Sequence, residues 1–417
     1  MRFFQTAVAA ATAVATLSTA NLAFADTEVK LWTWREQEID LWNYITEQNL
    51  IDGVDVVIER ISSDDYESKL RIGLQQGGPD VFQGKAGAAW LEPLIKAGAV
   101  KPLKGVSLKN IVPSTLSAAK GPDGKVYGVP FAVQMESVIY NTAVFAEHGL
   151  KEPSNAGEFV DLMKTLKSKG VVPLHHAARA GWWNNQVLNE ALTAGLVSDK
   201  FAKKLTQGKA CFTDSEYVSA LETFVSWSDY FNPNPTADDY GAMRTSVALG
   251  DSAMMIDGAW STGPASPMYE INPDLKMGFF GIPGNNGKVY AFADGAYLAN
   301  ANSDKADAVK KVLKFTTTQQ FSQLFVDKVG ELPAYSGELA MPDDRLAEVA
   351  SLIATNSLEA TPFFAYSLNK GQPSYGTLLA SGYQELLSGK IDAKGLASKI
   401  QSGLNSWNYV GAKKCQM

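Results

Sequence analysis

One long extended stretch decides the predicted fold: Gly124-Lys-Val-Tyr-Gly-Val-Pro-Phe-Ala-Val-Gln-Met-Glu-Ser-Val-Ile-Tyr-Asn141. It begins after a turn signal, Pro122-Asp-Gly124, and is largely apolar or β-branched. An ordinary strand has about five or six residues, and Pro130 cannot donate a hydrogen bond within a central strand. We therefore predict two strands joined end to end, with residues 129–133 crossing from one globular lobe to another. A single long strand at a sheet edge, which Pro130 permits, is the alternative.

Strands and helical patterns alternate on both sides of this stretch. The strands predicted before it are 29–33, 54–61 and 80–83. Those predicted after it are 171–174, 252–256, 276–283 and 289–298. The alternation predicts an α/β protein in which each lobe is a mainly parallel sheet flanked by helices. A length of 417 residues is enough for two such lobes.

The first 25 residues have the pattern of a secretory signal peptide. Arg2 supplies a positive charge, residues 7–17 form an apolar segment, and Ala23-Phe-Ala25 is a small-x-small cleavage site. The apolar segment is shorter than the roughly 20 residues that a membrane span needs. We therefore expect cleavage after Ala25 and a periplasmic protein, and no cysteine follows the cleavage site to carry a lipid anchor.

Composition and motifs exclude several classes of protein. A net charge of −7 gives no electrostatic footprint for nucleic acid or for an anionic membrane. Phosphate-binding loops, nucleophile elbows, zinc-protease motifs and dinucleotide fingerprints are absent. His175-His176 would point to opposite faces of a strand and would not chelate one metal ion. We therefore predict no catalytic residue, no metal, no cofactor and no nucleic-acid partner. Export to an oxidising compartment makes a disulfide between Cys211 and Cys415 chemically possible. Their separation in sequence does not show whether the two residues are close in space.

Candidate ligand-binding residues follow the predicted strands, because parallel sheets bind ligands beyond the carboxyl ends of their strands. In the first lobe this rule selects Trp34, Arg35, Glu36, Asp64, Tyr66, Gln83 and Lys85. In the second lobe it selects Arg179, Gly181, Trp182, Trp183, Asp257, Gly258 and Trp260. Gln134 in the crossing stretch joins this set.

Aromatic rings and planar hydrogen-bonding groups recur together at these strand ends. A sugar ring needs both, because its C–H faces stack on indole and its hydroxyls pair with carboxylates, amides and guanidinium. Trp260 is the strongest single candidate, since Asp257-Gly-Ala-Trp260 directly follows a buried strand. The alternative is that any one of these tryptophans is an ordinary core or rim aromatic.

Several motifs carry a resemblance to one family over essentially the whole mature chain. They are Pro79-Asp-Val-Phe82 with Leu94-Ile-Lys-Ala-Gly-Ala-Val-Lys-Pro-Leu103, Gly124 to Pro130 continuing through Ile139-Tyr-Asn141, Leu249-Gly-Asp-Ser-Ala-Met-Met-Ile-Asp-Gly-Ala-Trp260 and Glu331-Leu-Pro333. The chain resembles the extracellular solute-binding proteins of ABC importers, in the group that includes the maltodextrin-binding protein and its sugar-binding relatives.

The resemblance implies a type II periplasmic-binding-protein fold with two lobes joined by three hinge segments. It assigns residues 26–129 and 295–330 to an N-terminal lobe, and 134–290 and 334–417 to a C-terminal lobe. The hinges lie near 129–133, 290–294 and 330–333. Family members bind ligand between the lobes, close by a hinge motion and present the closed form to a membrane permease.

Two positions refine what the resemblance implies about the ligand. In relatives, the residue at the position of Trp260 often stacks on the sugar. Relatives often carry a Gly-Gly pair where this chain has Phe292-Ala-Asp-Gly295, so Asp294 is a further candidate contact.

The main hypothesis is a monomeric binding protein that delivers a carbohydrate to an ABC importer. A quaternary amine or another cation would also use an aromatic cage, although Arg35, Lys85 and Arg179 would repel it. The same basic groups leave room for an acidic sugar. A third hypothesis is a secreted glycoside hydrolase, which needs two carboxylates about 5–10 Å apart, and Glu36, Asp64, Asp257 and Asp294 are available.

Overall fold

The computed structural model describes residues 26–184, 192–193, 195–284, 288–358 and 365–415. The predicted signal peptide, residues 1–25, lies outside the described residues. None of the helices in the described ranges is long and apolar enough to cross a membrane.

The first sheet has five strands in the order β2-β1-β3-β10-β4. These strands are β1 (Thr27–Thr33), β2 (Val54–Arg60), β3 (Val81–Lys85), β4 (Gly128–Pro130) and β10 (Gly295–Ala299). β1 runs parallel to β2 and β3, whereas β10 runs antiparallel to β3 and β4. The carboxyl ends of β1, β2 and β3 therefore meet at one edge of the sheet.

The second sheet is built around β5 (Ala132–Asn141). The other strands are β6 (Val172–His175), β7 (Ser252–Gly258), β8 (Met277–Phe280), β9 (Val289–Ala293), β11 (Leu332–Pro333) and β12 (Ser357–Leu358). β5 pairs antiparallel with β7, β8, β9 and β11, while the β6/β7 and β9/β12 pairs are parallel. Both sheets are therefore mixed, but in each a single strand, β10 in the first and β5 in the second, runs against the others. The other strands of each sheet run in one direction, as the prediction of mainly parallel sheets requires.

The chain passes between the two sheets at three places, which we call the three crossings. β4 and β5 divide the long extended stretch between the sheets, with Phe131 between them. Asp294 separates β9 of the second sheet from β10 of the first. Gly330 and Glu331 connect the helix Gln319–Val329, which packs in the first lobe, to β11.

Helices cover both sheets. In the first lobe they are Ile39–Glu47, Ser63–Gly73, Ala88–Lys96, Ala306–Phe315 and Gln319–Val329, with 3₁₀ turns at Glu36–Glu38 and Pro113–Ala119. In the second lobe they are Thr142–Glu147, Ala156–Ser168, Gly181–Trp183, Asp199–Thr206, Ser215–Ser226, Tyr240–Leu249, Met268–Ile271, Asp344–Asn356, Tyr366–Asn369, Tyr375–Leu387 and Ala393–Asn405, with 3₁₀ turns at Ser228–Tyr230 and Ala259–Thr262.

Local signals explain several helix starts. Asn155 accepts a hydrogen bond from the Glu158 backbone N–H at 3.0 Å, and the Glu158 carboxylate accepts from the Ser154 N–H at 2.8 Å.

Each lobe has its own core, and one covalent link ties down the C-terminal segment. The second lobe contains one continuous apolar cluster, and two clusters belong to the first lobe. A disulfide joins Cys211 to Cys415, with the two Cα atoms 5.6 Å apart. The lobes also contact each other outside the crossings, because the Tyr366 hydroxyl of the second lobe donates a hydrogen bond to Glu92 of the first at 3.1 Å.

Candidate functional site

A cavity of about 670 Å³ lies between the lobes. Aromatic rings face it from both sides, Trp34 and Trp90 from the first lobe and Trp182, Tyr240 and Trp260 from the second. The other lining residues are Arg35, Glu36, Gln37, Arg60, Ser63, Glu67, Lys85, Ala86, Gly87, Ala89, Arg244, Asp294 and Asn369. A volume of this size is typical of small-molecule sites, and the wall combines stacking surfaces with polar groups.

The Trp260 ring is held in place by a hydrogen-bonded cluster behind the cavity wall. Its indole N–H donates to the Tyr240 hydroxyl at 2.7 Å. That hydroxyl donates to Asp257 at 2.8 Å, and the Ser261 hydroxyl donates to the same carboxylate at 2.6 Å. Gly258 leaves room for the indole, because a Cβ there would lie 2.0 Å from a ring carbon. These contacts fix one orientation of the Trp260 ring.

Asp257 supports this cluster from inside the protein. The residue is fully buried, and burial raises the pKa of its carboxyl group to about 6. The Ser261 and Tyr240 hydroxyls oppose that rise by stabilising the charged form. Asp257 therefore orients Tyr240 and Trp260.

Trp34 is held on the opposite wall by other aromatic rings. It meets Tyr66 edge-on at 5.1 Å between ring centroids and Phe131 at 6.2 Å. The Tyr66 hydroxyl donates to the Gln83 carbonyl at 2.6 Å, so this phenol is fixed to β3. Lys85 lies 5.9 Å from the centre of the Trp34 ring. The two walls therefore present preorganised rings to one cavity.

Arg35 is the centre of a buried network that joins all three crossings. Its guanidinium donates to Glu38 at 2.6 Å and also to Asp294 and Glu331. Gln134 of β5 donates to Glu331 as well. We call these five residues the Arg35 network. Arg35 of the first lobe thus contacts two crossings directly, at Asp294 and at Glu331. It reaches the remaining crossing, that of β4 and β5, through the hydrogen bond between Gln134 and Glu331.

Glu38, at the first-lobe end of this network, accepts further hydrogen bonds. The Glu38 carboxylate accepts from Gln83 at 2.7 Å, Tyr297 at 2.5 Å and Trp42 at 3.3 Å. Gln83 in turn accepts from the Thr33 hydroxyl. Buried charges are tolerated only when they are paired and hydrogen-bonded in this way.

Asp294 should make stability depend on pH. Burial raises the pKa of its carboxyl group from 3.8 to about 6; Arg35 and Lys85 lower it, whereas Glu331 and Glu38 raise it further. The folded state therefore holds this proton more tightly than the unfolded chain, so the stabilising contribution is complete below about pH 4 and is lost as the pH rises through about 6. We expect this contribution to the free energy of unfolding to be about 1–2 kcal/mol. It is limited because 16% of the Asp294 side chain is exposed and water screens its charge.

The measurement is urea unfolding of the wild type and of Asp294→Asn between pH 4 and pH 7. The difference in unfolding free energy between the two proteins should fall as the pH rises, because Asn does not titrate. The buried histidines and Asp257 are common to both proteins and cancel in the difference. A difference that stays constant over this range would contradict the assignment.

The residues predicted from the sequence fall into three groups. Those that line the cavity are Trp34, Arg35, Glu36, Lys85, Trp182, Trp260 and Asp294. Those buried behind the wall or in the core are Tyr66, Gln83, Gln134, Trp183, Asp257 and Gly258. Two do not reach the cavity wall: Arg179 is 67% exposed and lies 3.8 Å from Asp239, and Gly181 begins a short helix. The side chain of Asp64 lies outside the described part of the chain.

Sequence reasoning missed several residues of the wall. Tyr240 and Arg244 lie one helical turn apart on the helix Tyr240–Leu249. Asp239 caps this helix by accepting from the Ala242 N–H at 2.9 Å, and that cap was the available signal. Arg60 is the last residue of β2, so a rule that selects residues beyond the strand passed over it.

A second cavity of about 1050 Å³ adjoins the first at Ala86 and Gly87, which line both. Its wall includes crossing residues such as Val133, Ala293 and Pro333 and is mostly apolar. The smaller cavity presents tryptophans from both lobes together with paired charges. We therefore take the smaller cavity as the candidate site.

The two adjacent histidines have structural surroundings. His175 lies 3.1 Å from Asp238 and 3.0 Å from the Ser252 hydroxyl. His176 is buried against Phe231 and Phe224, and burial lowers the pKa of its imidazole to about 3. Within the residues that the structure describes, no group of three or more His, Cys, Asp or Glu side chains is placed to hold a metal ion.

Curated relatives share about a quarter of their sequence with this chain. An uncharacterized ABC transporter extracellular-binding protein of Pyrococcus horikoshii is 27% identical over 273 residues, and the multiple sugar-binding protein of Streptococcus mutans is 25% identical over 256. These matches cover 64% and 58% of this chain. The chain spans about three fifths of these relatives, 60% and 59% of their lengths. A diacetylchitobiose binding protein of Streptomyces coelicolor is 24% identical over 71% of this chain and 70% of its own.

Solved structures share the fold over nearly the whole chain. A chitin oligosaccharide binding protein matches with a TM-score of 0.76 and 21% identity, over 92% of this chain and 99% of its own. The SBP RafE in complex with raffinose matches with a TM-score of 0.72 and 20% identity, over 91% and 99%. At these identities the likeness shows the fold, and the prediction of a two-lobed periplasmic-binding-protein fold is confirmed. The profile for bacterial extracellular solute-binding proteins matches residues 40–320, and the chain belongs to that family.

Proposed function

We propose that the protein binds a carbohydrate in the cavity between its lobes and delivers it to the permease of an ABC importer. The observation that carries this proposal is the pair of facing aromatic walls, with Trp34 and Trp90 opposite Trp182 and Trp260. Indole faces stack on the C–H faces of a sugar ring, and the polar groups between them can pair with its hydroxyls. The sugar-binding relatives support the same class of ligand.

Closure of the lobes is part of the proposal. We propose that residues 26–129 with 295–330 move as one lobe and 134–290 with 334–417 as the other, about hinges near 129–133, 290–294 and 330–333. A ligand that contacts both walls favours the closed arrangement through its extra contacts there. The closed form is then the one that the permease recognises, and export to the periplasm places the protein beside it.

The carboxylates near the cavity are poorly placed to hydrolyse a glycosidic bond. Glu36 lies 3.0 Å from Arg60, Glu67 lies 3.6 Å from Lys85, and Asp294 is bound by Arg35. Asp257 is buried behind Trp260 and bound by Tyr240. A glycosidase needs one carboxylic acid and one carboxylate on either side of the scissile bond. These contacts favour a binding protein without catalytic activity.

A ligand panel tests the proposal. The purified mature protein is screened by thermal shift against mono- and oligosaccharides, sugar acids, polyols and betaines. A ligand at 100 times its dissociation constant should stabilise the protein by about 2.7 kcal/mol, a rise in melting temperature of a few degrees. A shift with one sugar class supports the proposal. A rise in melting temperature with betaines alone would indicate that the cavity binds cations. If no compound in the panel raises the melting temperature, carbohydrate binding is contradicted.

A further inference from the structure

Arg244 and Trp260 both line the cavity, and both contact Tyr240. It stands one helical turn after Tyr240, and its guanidinium carbon is 4.3 Å from the centre of the Tyr240 ring. The Tyr240 hydroxyl accepts the hydrogen bond that orients Trp260. A sugar stacked on Trp260 would therefore have its ring substituents within reach of Arg244.

The other charged groups of the cavity wall are paired with one another. Glu36 lies 3.0 Å from Arg60, and Glu67 lies 3.6 Å from Lys85. Asp294 is bound by Arg35. Among the residues that the structure describes, four cations and three carboxylates line the cavity, and these three pairs account for all of them except Arg244.

Arg244 has no carboxylate oxygen within 4.0 Å among the described residues. Its Nε atom is buried and has no hydrogen-bond partner there. Asp239 accepts from the Ala242 N–H and lies 3.8 Å from Arg179. One oxygen of Asp257 accepts from Tyr240 and Ser261. The positive charge of Arg244 lowers the pKa of Asp257, but the two side chains form no ion pair within 4.0 Å.

We propose that the ligand is an acidic carbohydrate whose carboxylate pairs with Arg244 while its ring stacks on Trp260. The inference rests on the proposed function and narrows its ligand class. A guanidinium group and a carboxylate are both planar and can form two parallel hydrogen bonds, a geometry that a neutral hydroxymethyl group cannot supply. Stacking on Tyr240 restricts the guanidinium before binding and so reduces the entropy lost when the pair forms.

The test compares sugars that differ only at one carbon. Isothermal titration calorimetry is run with glucuronate against glucose, galacturonate against galactose, and the corresponding oligosaccharides. We expect the acid of at least one pair to bind at least tenfold more tightly than its neutral partner. Arg244→Gln should abolish this preference, and Arg244→Lys should retain part of it.

Two controls distinguish the effect of removing the Arg244 charge from an effect of misfolding. Arg179→Gln removes an arginine outside the cavity and should leave the preference unchanged, and circular dichroism checks that each variant is folded. Equal affinities of the wild type for acid and neutral sugars would overturn the inference of an acidic ligand. They would still be consistent with the proposed function of carbohydrate binding. An acid preference that survives in Arg244→Gln would also overturn it. Absence of binding to any sugar would overturn the proposed function itself.

Discussion

Replacing Trp260 by alanine should weaken sugar binding by about 2–4 kcal/mol, roughly 30- to 1000-fold in dissociation constant. The residue lies on the cavity wall and its ring is fixed by Tyr240 from behind. Alanine removes the stacking face and leaves the Tyr240 hydroxyl without its indole donor. Calorimetry with the sugar identified by the ligand panel measures the loss.

Trp260→Phe provides the matched control, because it keeps an aromatic face but cannot donate to Tyr240. We expect its affinity to lie between those of the wild type and the alanine variant, because the ring face remains while the hydrogen bond that orients it is lost. Thermal unfolding without sugar shows whether either variant has lost its fold. An alanine variant that is folded and binds sugar as tightly as the wild type would exclude Trp260 from the site.

Replacing Arg35 by methionine should lower the free energy of unfolding by about 3–5 kcal/mol, since removing one partner of a buried ion pair leaves uncompensated charge. The side chain is 2% exposed and is bound by three carboxylates, those of Glu38, Asp294 and Glu331. The loss should shrink as the pH falls, because the carboxylates left without a cation can then take up protons.

Arg179→Gln is the control for this measurement. Its ion pair with Asp239 is 67% and 54% exposed at the two side chains, so its loss should cost less than about 1 kcal/mol. Urea unfolding of both variants, without ligand, gives the comparison. Equal stability of Arg35→Met and the wild type would mean that the Arg35 network does not stabilise the connection between the lobes.

Local patterns in the sequence predict much of the fold. The turn before Gly124, the position of Pro130 and the length of the extended run predict two strands, and the structure has β4 and β5 in different sheets. Strand ends also led to Trp34, Lys85, Trp182 and Trp260, all of which line the cavity. These features depend on neighbours in sequence, which is why they can be read from it.

Contacts between distant segments could not be predicted in the same way. Arg35 follows the first strand and was predicted as a ligand contact, yet Asp294 and Glu331, 259 and 296 residues further on, bind its guanidinium. Gln83 and Gln134 likewise hydrogen-bond to buried carboxylates. Only the packing of the three crossings brings these groups together. The rule that selects strand ends does not distinguish a residue of the wall from one that supports it.

The most direct test of the account is a crystal structure of the protein with the sugar identified by the ligand panel. The account predicts one sugar ring against Trp260, with Trp34 or Trp90 of the other lobe in contact with the same molecule. Sugar bound only in the larger adjoining cavity, or contacting one lobe alone, would contradict the claim that the aromatic walls form the binding site.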